Sequence, residues 1–379
     1  MNKRVAICAV AQTNYERDKW YQRMQGMAWE VVEQVIKATG LDFSEERGIR
    51  QVITVSDDVF DARTISDNAM TDAVGAHYRC EEKVSQDGSM AVYYALSAVL
   101  SGHQDVVMIV GHCKESQPQS RNMATHMAFD PFFTRPVGLD FLAAAGFQAR
   151  AYMNKTGVTQ EQLAEIVVRS RKNAMTNPCI DLPLVSADEV LGSPMLADPI
   201  RELMAYPVTD GAIAMIVAKE ELAKEITDKP VWITGVGNCY DSFFLGERDL
   251  ADNFSLDKAT AVAYKMAGLS DVSAVDVFEI SDQYAYQLPM WAEGLKLCGP
   301  GDGSKWLSDG GPDNANVNLS GGMLAGNPLI LGGLARVADC VLQLRGEAGD
   351  KQVEGAKRAV AQGLTGPAGQ SQTVVVLES

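Results

Sequence analysis

The sequence has no apolar run of the roughly 18 to 20 residues that a membrane-spanning helix requires. It is also short of positive charge, because 33 Lys and Arg stand against 49 Asp and Glu and no basic cluster offers a surface for phosphates. The basic amino terminus runs into charged residues after a short apolar stretch, so we expect no signal peptide. These absences predict a cytosolic globular protein that binds neither nucleic acid nor membrane.

The seven cysteines carry no metal-binding pattern. They are scattered, odd in number, and form no CxxC pair and no Cys/His ligand spacing, so we expect reduced thiols, mostly in the core, and no metal. Two are weak candidates for a nucleophile: Cys80, near the turn at Ser85, and Cys113, which follows a predicted strand. Histidine is scarcer still, and all four lie in the first third of the chain: His77, His103, His112 and His126.

Elements of the first half of the chain recur in the second. A length of 379 residues with 46% hydrophobic residues predicts two core units. The β-rich run at 5–13 resembles 231–239, and an apolar helix and a strand follow each run at similar offsets. We therefore predict a duplicated α/β protein with halves at 1–228 and 229–379 and with strands buried on both faces. Residues 114–206 depart from the repeat and are predicted to form an inserted, mainly helical region that covers a site or an assembly surface.

Several strings resemble the motifs of one family along almost the whole chain. YPVTDGAIAMIVAKEE (206–221) and NVNLSGGMLAGNPLILGGLARV (316–337) resemble the sDGAAA strand entry and the NpsGG…GHPxGaTG loop of thiolases. VDVFEISDQYAYQ (275–287) resembles the E-x-H-D-A-F strand end of the sterol-carrier type of thiolase. The tail at 343–377 resembles thiolases that work with a separate partner protein. The sequence is thus similar to the thiolase superfamily.

The resemblance implies a fold, a chemistry and partners. The fold would be the thiolase fold, with duplicated βαβαβαββ halves in a five-layered α-β-α-β-α arrangement and the inserted loop region at 114–206. The chemistry would be thiolase-like acyl transfer, a retro-Claisen reaction on an unusual, aromatic β-oxoacyl-CoA, with coenzyme A as a substrate and no other cofactor. We also expect a homodimer or dimer of dimers, and a zinc-ribbon/OB-fold (DUF35) partner, as in partner-dependent thiolases such as the benzoylsuccinyl-CoA thiolases.

The residues of the thiolase catalytic set are replaced in this sequence. The position of the family's nucleophilic cysteine falls on Ser85, and the positions of its two histidines fall on Asn327 and Ser281. The last cysteine loop is replaced by LTGPAGQ (364–370), which contains Gly366 but no thiol. A serine hydroxyl needs an adjacent base to attack a thioester, so we expect an atypical active site.

The turn SQDGS around Ser85 has two compatible interpretations. Ser, Asp and Gly before an apolar helix are ordinary N-cap residues, which makes Ser85 and Asp87 candidate caps. Ser85 is also a candidate catalytic hydroxyl and Asp87 a candidate base. The backbone N–H groups at the helix start, including that of Gly88, are candidate donors to an oxyanion.

The candidates in the second half also have structural alternatives. Asn327 can donate a hydrogen bond to a thioester oxygen but cannot take up a proton, and it can equally be a loop residue. Gly321, Gly322 and Gly366 are candidate backbone donors or ordinary turn glycines. Ser281 and Asp282 end a buried strand, where α/β sheets bind ligands, although VSDD in the first half points equally to a structural role.

Three further side chains are candidate acids or bases. Tyr284 and Tyr286 follow the Ser281–Asp282 strand end and can act through their phenols. His126 lies in the covering insertion and can line a substrate tunnel, although a lone histidine is more often a surface or core residue.

The substitutions leave three functions open. The first is thiolase-like retro-Claisen chemistry with an altered constellation. The second is a retro-aldol cleavage of a β-hydroxyacyl-CoA, which needs a base and an acid but no acyl-cysteine. The missing cysteine favours this second function, although neither Ser281 nor Asn327 is the tyrosine that a resemblance to steroid side-chain aldolases would lead us to expect. The third is a non-catalytic CoA-binding or scaffold subunit.

Overall fold

The computed structural model describes residues 4–44, 48–61, 65–118, 120–326 and 328–379. Its strands are β1 (Val5–Gln12), β2 (Gln51–Val55), β3 (Cys80–Val84), β4 (Val106–Lys114), β5 (Met195–Ala197), β6 (Ile200–Arg201), β7 (Asp210–Lys219), β8 (Val231–Tyr240), β9 (Val277–Glu279), β10 (Arg358–Thr365) and β11 (Ser371–Glu378). Its α-helices are α1 (Met24–Thr39), α2 (Ser89–Ser101), α3 (Arg121–His126), α4 (Phe141–Thr156), α5 (Gln160–Ala174), α6 (Ala187–Gly192), α7 (Glu220–Ile226), α8 (Phe254–Ala267), α9 (Gln287–Gly294), α10 (Gly303–Ser308), α11 (Gly311–Asn314) and α12 (Gly332–Arg345).

Nine of these strands form one mixed sheet in the order β3-β2-β4-β7-β1-β8-β11-β10-β9. Strand β2 is parallel to β3 and β4, whereas β7 is antiparallel to β4 and β1. Strands β1 and β8 join the halves through two residue pairs, Ala6 with Trp232 and Ile7 with Val231. The sheet therefore consists of two half-sheets with one narrow connection.

Helices lie between the half-sheets and outside them. Helix α2 contacts β2, β4 and β7 of the first half-sheet and β10 and β11 of the second, and α12 contacts α2, β9 and β10. Helices α1 and α7 pack against the first half-sheet from the other side, and α8 packs against β8 and β11. The layers therefore follow the order α-β-α-β-α.

The apolar strands and two glycines explain this close layering. All nine residues of β4 and all five of β2 are buried, because helices cover both faces of the sheet. Helix α8 approaches β8 so closely that a Cβ atom at Gly237 would lie 2.0 Å from the Ala259 carbonyl oxygen, and one at Gly235 would lie 2.2 Å from that of Ala263. Larger residues at these positions would push the helix away from the sheet.

The region 114–206 contains helices α3 to α6 and the β5–β6 pair. Each of these helices begins at a side chain that accepts a hydrogen bond from the first turn: Ser120, Asp140, Thr159 and Ser186. Such caps satisfy backbone N–H groups that have no partner within the helix. The region is thus a set of individually capped helices. None of the helices in the described part of the chain is long and apolar enough to cross a membrane.

Candidate active site

A cavity of about 270 Å³ opens at the turn between β3 and α2. Segments from both halves of the chain and from the region 114–206 surround it. Its lining residues are Asp57, Val59, Phe60, Ser85, Ala124, Thr125, Met127, Ala128, Phe141, Gln283, Leu329, Ile330, Leu364, Thr365 and Gly366. Most of them are apolar, as in small-molecule sites where a few polar groups fix the orientation of the ligand.

The parallel pairing of β2 and β3 brings two lining residues side by side. Val55 is paired with Val84, and the Ser56 N–H donates to the Val84 carbonyl at 3.4 Å. Neighbouring strands lie about 4.8 Å apart, so the chain leaves the sheet at adjacent points. Asp57 and Ser85, each just beyond these strand ends, line the same cavity.

Asp87, and not Ser85, caps helix α2. The Asp87 Oδ1 accepts hydrogen bonds from the Ser89 N–H at 2.9 Å and from the Ser89 hydroxyl at 2.6 Å. Its Oδ2 accepts from the Gly333 N–H at 2.8 Å, at the start of α12. Burial raises the pKa of Asp87 to about 6. Ser85 precedes the helix by four residues, so the interpretation of Ser85 as an N-cap is corrected, and its side chain is exposed at the cavity.

Gly88 and Gly366, two of the candidate backbone donors, differ in their surroundings. The Gly88 N–H already donates to the Ile330 carbonyl at 2.9 Å, and a Cβ there would lie 2.6 Å from Leu334, so this glycine serves close packing on α12. Gly366 lines the cavity with a φ of 79°. The preceding Thr365 Oγ1 accepts from the Asp87 N–H at 2.9 Å, which ties this loop to the turn at Ser85.

Ser281 and Asp282 are buried supports behind the cavity. The Ser281 hydroxyl donates to the Gln362 carbonyl at 2.7 Å, and the Ser281 N–H donates to the Gln362 Oε1 at 2.8 Å. Asp282 Oδ1 accepts from the Met323 N–H at 2.6 Å, and burial raises the pKa of Asp282 to about 6. A Cβ at Gly322 would lie 2.4 Å from that same oxygen. These contacts hold the glycine turn at 321–322 against the end of β9. The candidates Ser281, Asp282, Gly321 and Gly322 do not line the described cavity.

Asn327 lies outside the described residues. Its neighbours on the carboxyl side, Leu329 and Ile330, line the cavity.

The two tyrosine candidates are buried beside the cavity, and the histidine candidate is half-buried. The Tyr286 hydroxyl donates to the Gln148 Oε1 at 2.8 Å, and burial raises the pKa values of both Tyr284 and Tyr286. The ring of Tyr284 lies edge-on to that of Tyr206, at 5.9 Å between centroids. The His126 Nδ1 lies 2.8 Å from the Leu139 carbonyl oxygen, so it can fix the loop after α3. None of these three candidates lines the cavity, although the neighbours of His126 do.

Two polar lining residues did not stand out in the sequence. Asp57 belongs to the motif VSDD, which we interpreted only as a parallel to Ser281–Asp282. Burial raises the pKa of the Asp57 carboxyl group. Gln283 is buried, and its backbone carbonyl accepts from the Tyr206 N–H at 2.7 Å. The signal for Asp57 was its place just beyond a strand that pairs with β3.

The described lining contains neither a thiol nor an imidazole. Cys113, predicted to follow a strand end, lies within β4 and is buried, and burial raises the pKa of its thiol. Cys80 is exposed at the opposite end of β3 from Ser85. Among the described residues, no group of three or more His, Cys, Asp or Glu side chains is arranged to hold a metal ion.

Other cavities lie away from the residues around Ser85. The largest, about 420 Å³, lies beside Val106 at the amino end of β4, opposite the end that carries the turn at Ser85, and contains no candidate site residue. Another, of about 280 Å³, reaches the buried carboxylates Glu279 and Asp339, which pair with Arg336. The cavity at Ser85 is therefore the candidate active site.

Comparisons with known proteins agree with this fold. The family model "Thiolase C-terminal domain-like" matches residues 239–379. An acetyl-CoA acetyltransferase of Methanothermobacter thermautotrophicus is 33% identical over 294 residues, 76% of each chain. The benzoylsuccinyl-CoA thiolase subunit BbsB of Thauera aromatica is 28% identical over 298 residues, 75% of each chain. Among solved structures, the Ltp2-ChsH2(DUF35) aldolase superposes with a TM-score of 0.82 at 20% identity, covering 99% of this chain and 98% of that one.

Proposed function

Because the chain belongs to the thiolase superfamily, we propose that it makes or breaks a carbon–carbon bond in the acyl group of a coenzyme A thioester, at the cavity beside Ser85. The observation that carries this proposal is the cavity itself. It opens beside Ser85, onto which the resemblance places the family's nucleophile, and loops of both halves line it.

The reaction that fits this cavity best is a retro-aldol cleavage of a β-hydroxyacyl-CoA. A retro-Claisen reaction passes through an acyl-enzyme and needs a nucleophile beside a base. The described lining offers the Ser85 hydroxyl with no imidazole and no thiol. A retro-aldol reaction needs only a base for the hydroxyl proton and donors for the enolate oxygen.

The polar and apolar residues that line the cavity suggest how a substrate is oriented in it. The Gln283 side chain and the backbone at Gly366 are the described polar groups that we assign to the thioester oxygen. The rings of Phe60 and Phe141 provide apolar surface for an aromatic or bulky alkyl acyl group. At about 270 Å³ the cavity is slightly smaller than ligand-sized pockets, roughly 300–1,000 Å³, and so suits the acyl portion rather than the whole thioester.

A partner remains part of this proposal. One relative is named as a thiolase subunit, and the similar aldolase structure is named with a DUF35 protein; both support, without showing, a zinc-ribbon/OB-fold partner for this chain. The insertion exposes the apolar side chains of Phe132, Phe133 and Val137, and apolar patches of this kind mark interaction surfaces. We propose a homodimer or dimer of dimers that carries this partner.

One assay tests the proposal. The chain, purified with any co-purifying protein, is incubated with β-hydroxyacyl-CoA and β-oxoacyl-CoA thioesters, with and without free coenzyme A. Release of an aldehyde or ketone that needs no free coenzyme A is the expected result. Acyl transfer that requires free coenzyme A would instead support the retro-Claisen reaction, which the acetyltransferase relative favours. Tight thioester binding without turnover would identify a non-catalytic subunit.

A further inference from the structure

We propose that Asp57 is the general base of the carbon–carbon cleavage and takes the proton of the substrate's β-hydroxyl group. This assignment rests on the function proposed above. Among the described residues that line the cavity, Asp57 is the only one with an ionisable side chain. A base has to touch the proton that it removes, so position in the cavity is the first requirement.

The fold holds Asp57 in place without occupying its whole carboxylate. Its Oδ1 accepts the Val59 N–H at 2.9 Å, and its carbonyl accepts the Asp61 N–H at 2.9 Å, which together form a tight turn after β2. Among the described residues, no hydrogen bond reaches its Oδ2. One oxygen therefore orients the side chain and the other is open to a ligand.

The surroundings tune this carboxyl group for proton transfer. Burial raises its pKa most, the nearby Asp61 and Asp58 carboxylates raise it further, and the Val59 N–H and Lys83 lower it. Lys83 pairs directly with Asp58, which leaves its charge partly neutralised. An acid with a raised pKa is a stronger base when ionised, which is what a catalytic carboxylate requires near neutral pH.

The chemical step balances without another reactant. The β-hydroxyl proton passes to Asp57, the oxygen lone pair forms the C=O bond, and the Cα–Cβ bond breaks with its electron pair on Cα. That pair is delocalised into the thioester carbonyl as an enolate, which the donors around the thioester oxygen stabilise. Cα then takes up one proton from water, the proton that Asp57 holds returns to the solvent before the next turnover, and the products are an aldehyde or ketone and a shortened acyl-CoA.

The test compares Asp57→Asn with Asp350→Asn. Asparagine keeps an oxygen for the Val59 N–H, so the turn is retained, and unchanged circular dichroism and melting confirm folding. Asp350 is an exposed residue of the same type and does not line the cavity. The substrate is 3-hydroxy-3-phenylpropionyl-CoA, and 3-phenylpropionyl-CoA serves as the matched ligand without the hydroxyl group.

Two measurements separate the base from the function. We expect Asp57→Asn to slow benzaldehyde release at least a hundredfold, in the range that general-base removal costs, while Asp350→Asn stays within threefold of wild type. We also expect wild type to bind the hydroxy thioester roughly tenfold more tightly than the deoxy thioester, and Asp57→Asn to lose this preference.

The outcomes distinguish the two proposals. Undiminished turnover in Asp57→Asn, or no hydroxyl preference in wild type, would overturn the assignment of Asp57. Absence of turnover in wild type, with a hydroxyl preference that Asp57→Asn removes, would overturn the retro-aldol function and leave Asp57 as the residue that recognises the hydroxyl group.

Discussion

Asp87 accepts a 2.8 Å hydrogen bond from the Gly333 N–H although 246 positions separate the two residues. Its other oxygen caps α2 through Ser89. One carboxylate thus satisfies backbone N–H groups at the amino ends of both central helices. It joins the turn that presents Ser85 to helix α12, and so couples the two halves at the candidate active site.

Replacing this carboxylate should loosen the contact between the halves. In Asp87→Asn, an NH₂ group replaces one acceptor oxygen and faces a backbone N–H, which leaves a buried donor without a partner. We expect the free energy of unfolding to fall by about 1–3 kcal/mol. Asp350→Asn is the matched control, because Asp350 is exposed. Urea denaturation measures both, and equal midpoints for the two variants would contradict the role of Asp87.

Buried carboxyl groups should make the protein more stable in mild acid than in mild base. Burial raises the pKa values of Asp87 and Asp282 to about 6 and also raises that of Glu279. The folded state therefore binds more protons than the unfolded state between about pH 4 and pH 7, and stability falls as pH rises through this window.

The measurement is the urea midpoint at pH 5 and at pH 8. We expect the midpoint to be higher at pH 5. Asp282→Asn removes one of the titrating groups, so the difference between the two pH values should shrink in this variant. A midpoint that rises from pH 5 to pH 8 would show that these carboxyl groups do not control the pH dependence.

Close approach of α8 to β8 predicts an intolerance of side chains at Gly237. A Cβ atom in Gly237→Ala would lie 2.0 Å from the Ala259 carbonyl oxygen, so the helix must move. Overpacking of this kind costs about 1–3 kcal/mol. Gly246→Ala is the control, because a Cβ atom there meets nothing within 4 Å. Thermal melting should show a loss for Gly237→Ala alone.

The layered fold could be predicted from the sequence because its signal is local. The apolar run from Val106 to Val110 lies in β4, which is buried along its whole length, and the matching runs at 5–13 and 231–239 correspond to β1 and β8. Burial on both faces needs only apolar residues in sequence, so such strands can be recognised without knowing their neighbours. The thiolase fold inferred from these motifs is confirmed.

Which residues form the site depends on how distant segments of the chain pair with each other, and this limited the prediction of the site from the sequence. Ser85 was located because the resemblance places the family's cysteine there and because its turn precedes an apolar helix. Asp57 and Ser281 looked alike in sequence, since each follows a strand end in a Ser-Asp motif. Their difference comes from pairing: Asp57 stands beside β3 and faces the cavity, whereas Ser281 stands beside β10 and bonds to Gln362. Strand pairing between distant segments cannot be seen in one sequence.

Restoring a thiol at Ser85 tests whether the missing cysteine alone separates this chain from an acyl-transferring thiolase. A thiol attacks as the thiolate, and the described lining supplies no imidazole or amine to form it, while the Asp57 carboxylate opposes a second negative charge. We therefore expect Ser85→Cys to gain no acyl transfer between acetyl-CoA and free coenzyme A, and to form no covalent acyl adduct by intact-protein mass spectrometry. Ser85→Ala is the control, and both variants should keep aldehyde release within about tenfold of wild type, because the proposed cleavage needs no acyl-enzyme. An acyl adduct on the Ser85→Cys variant would show that Asp57 or another base activates a thiol at this position, and loss of cleavage in Ser85→Ala would place the hydroxyl itself in the reaction.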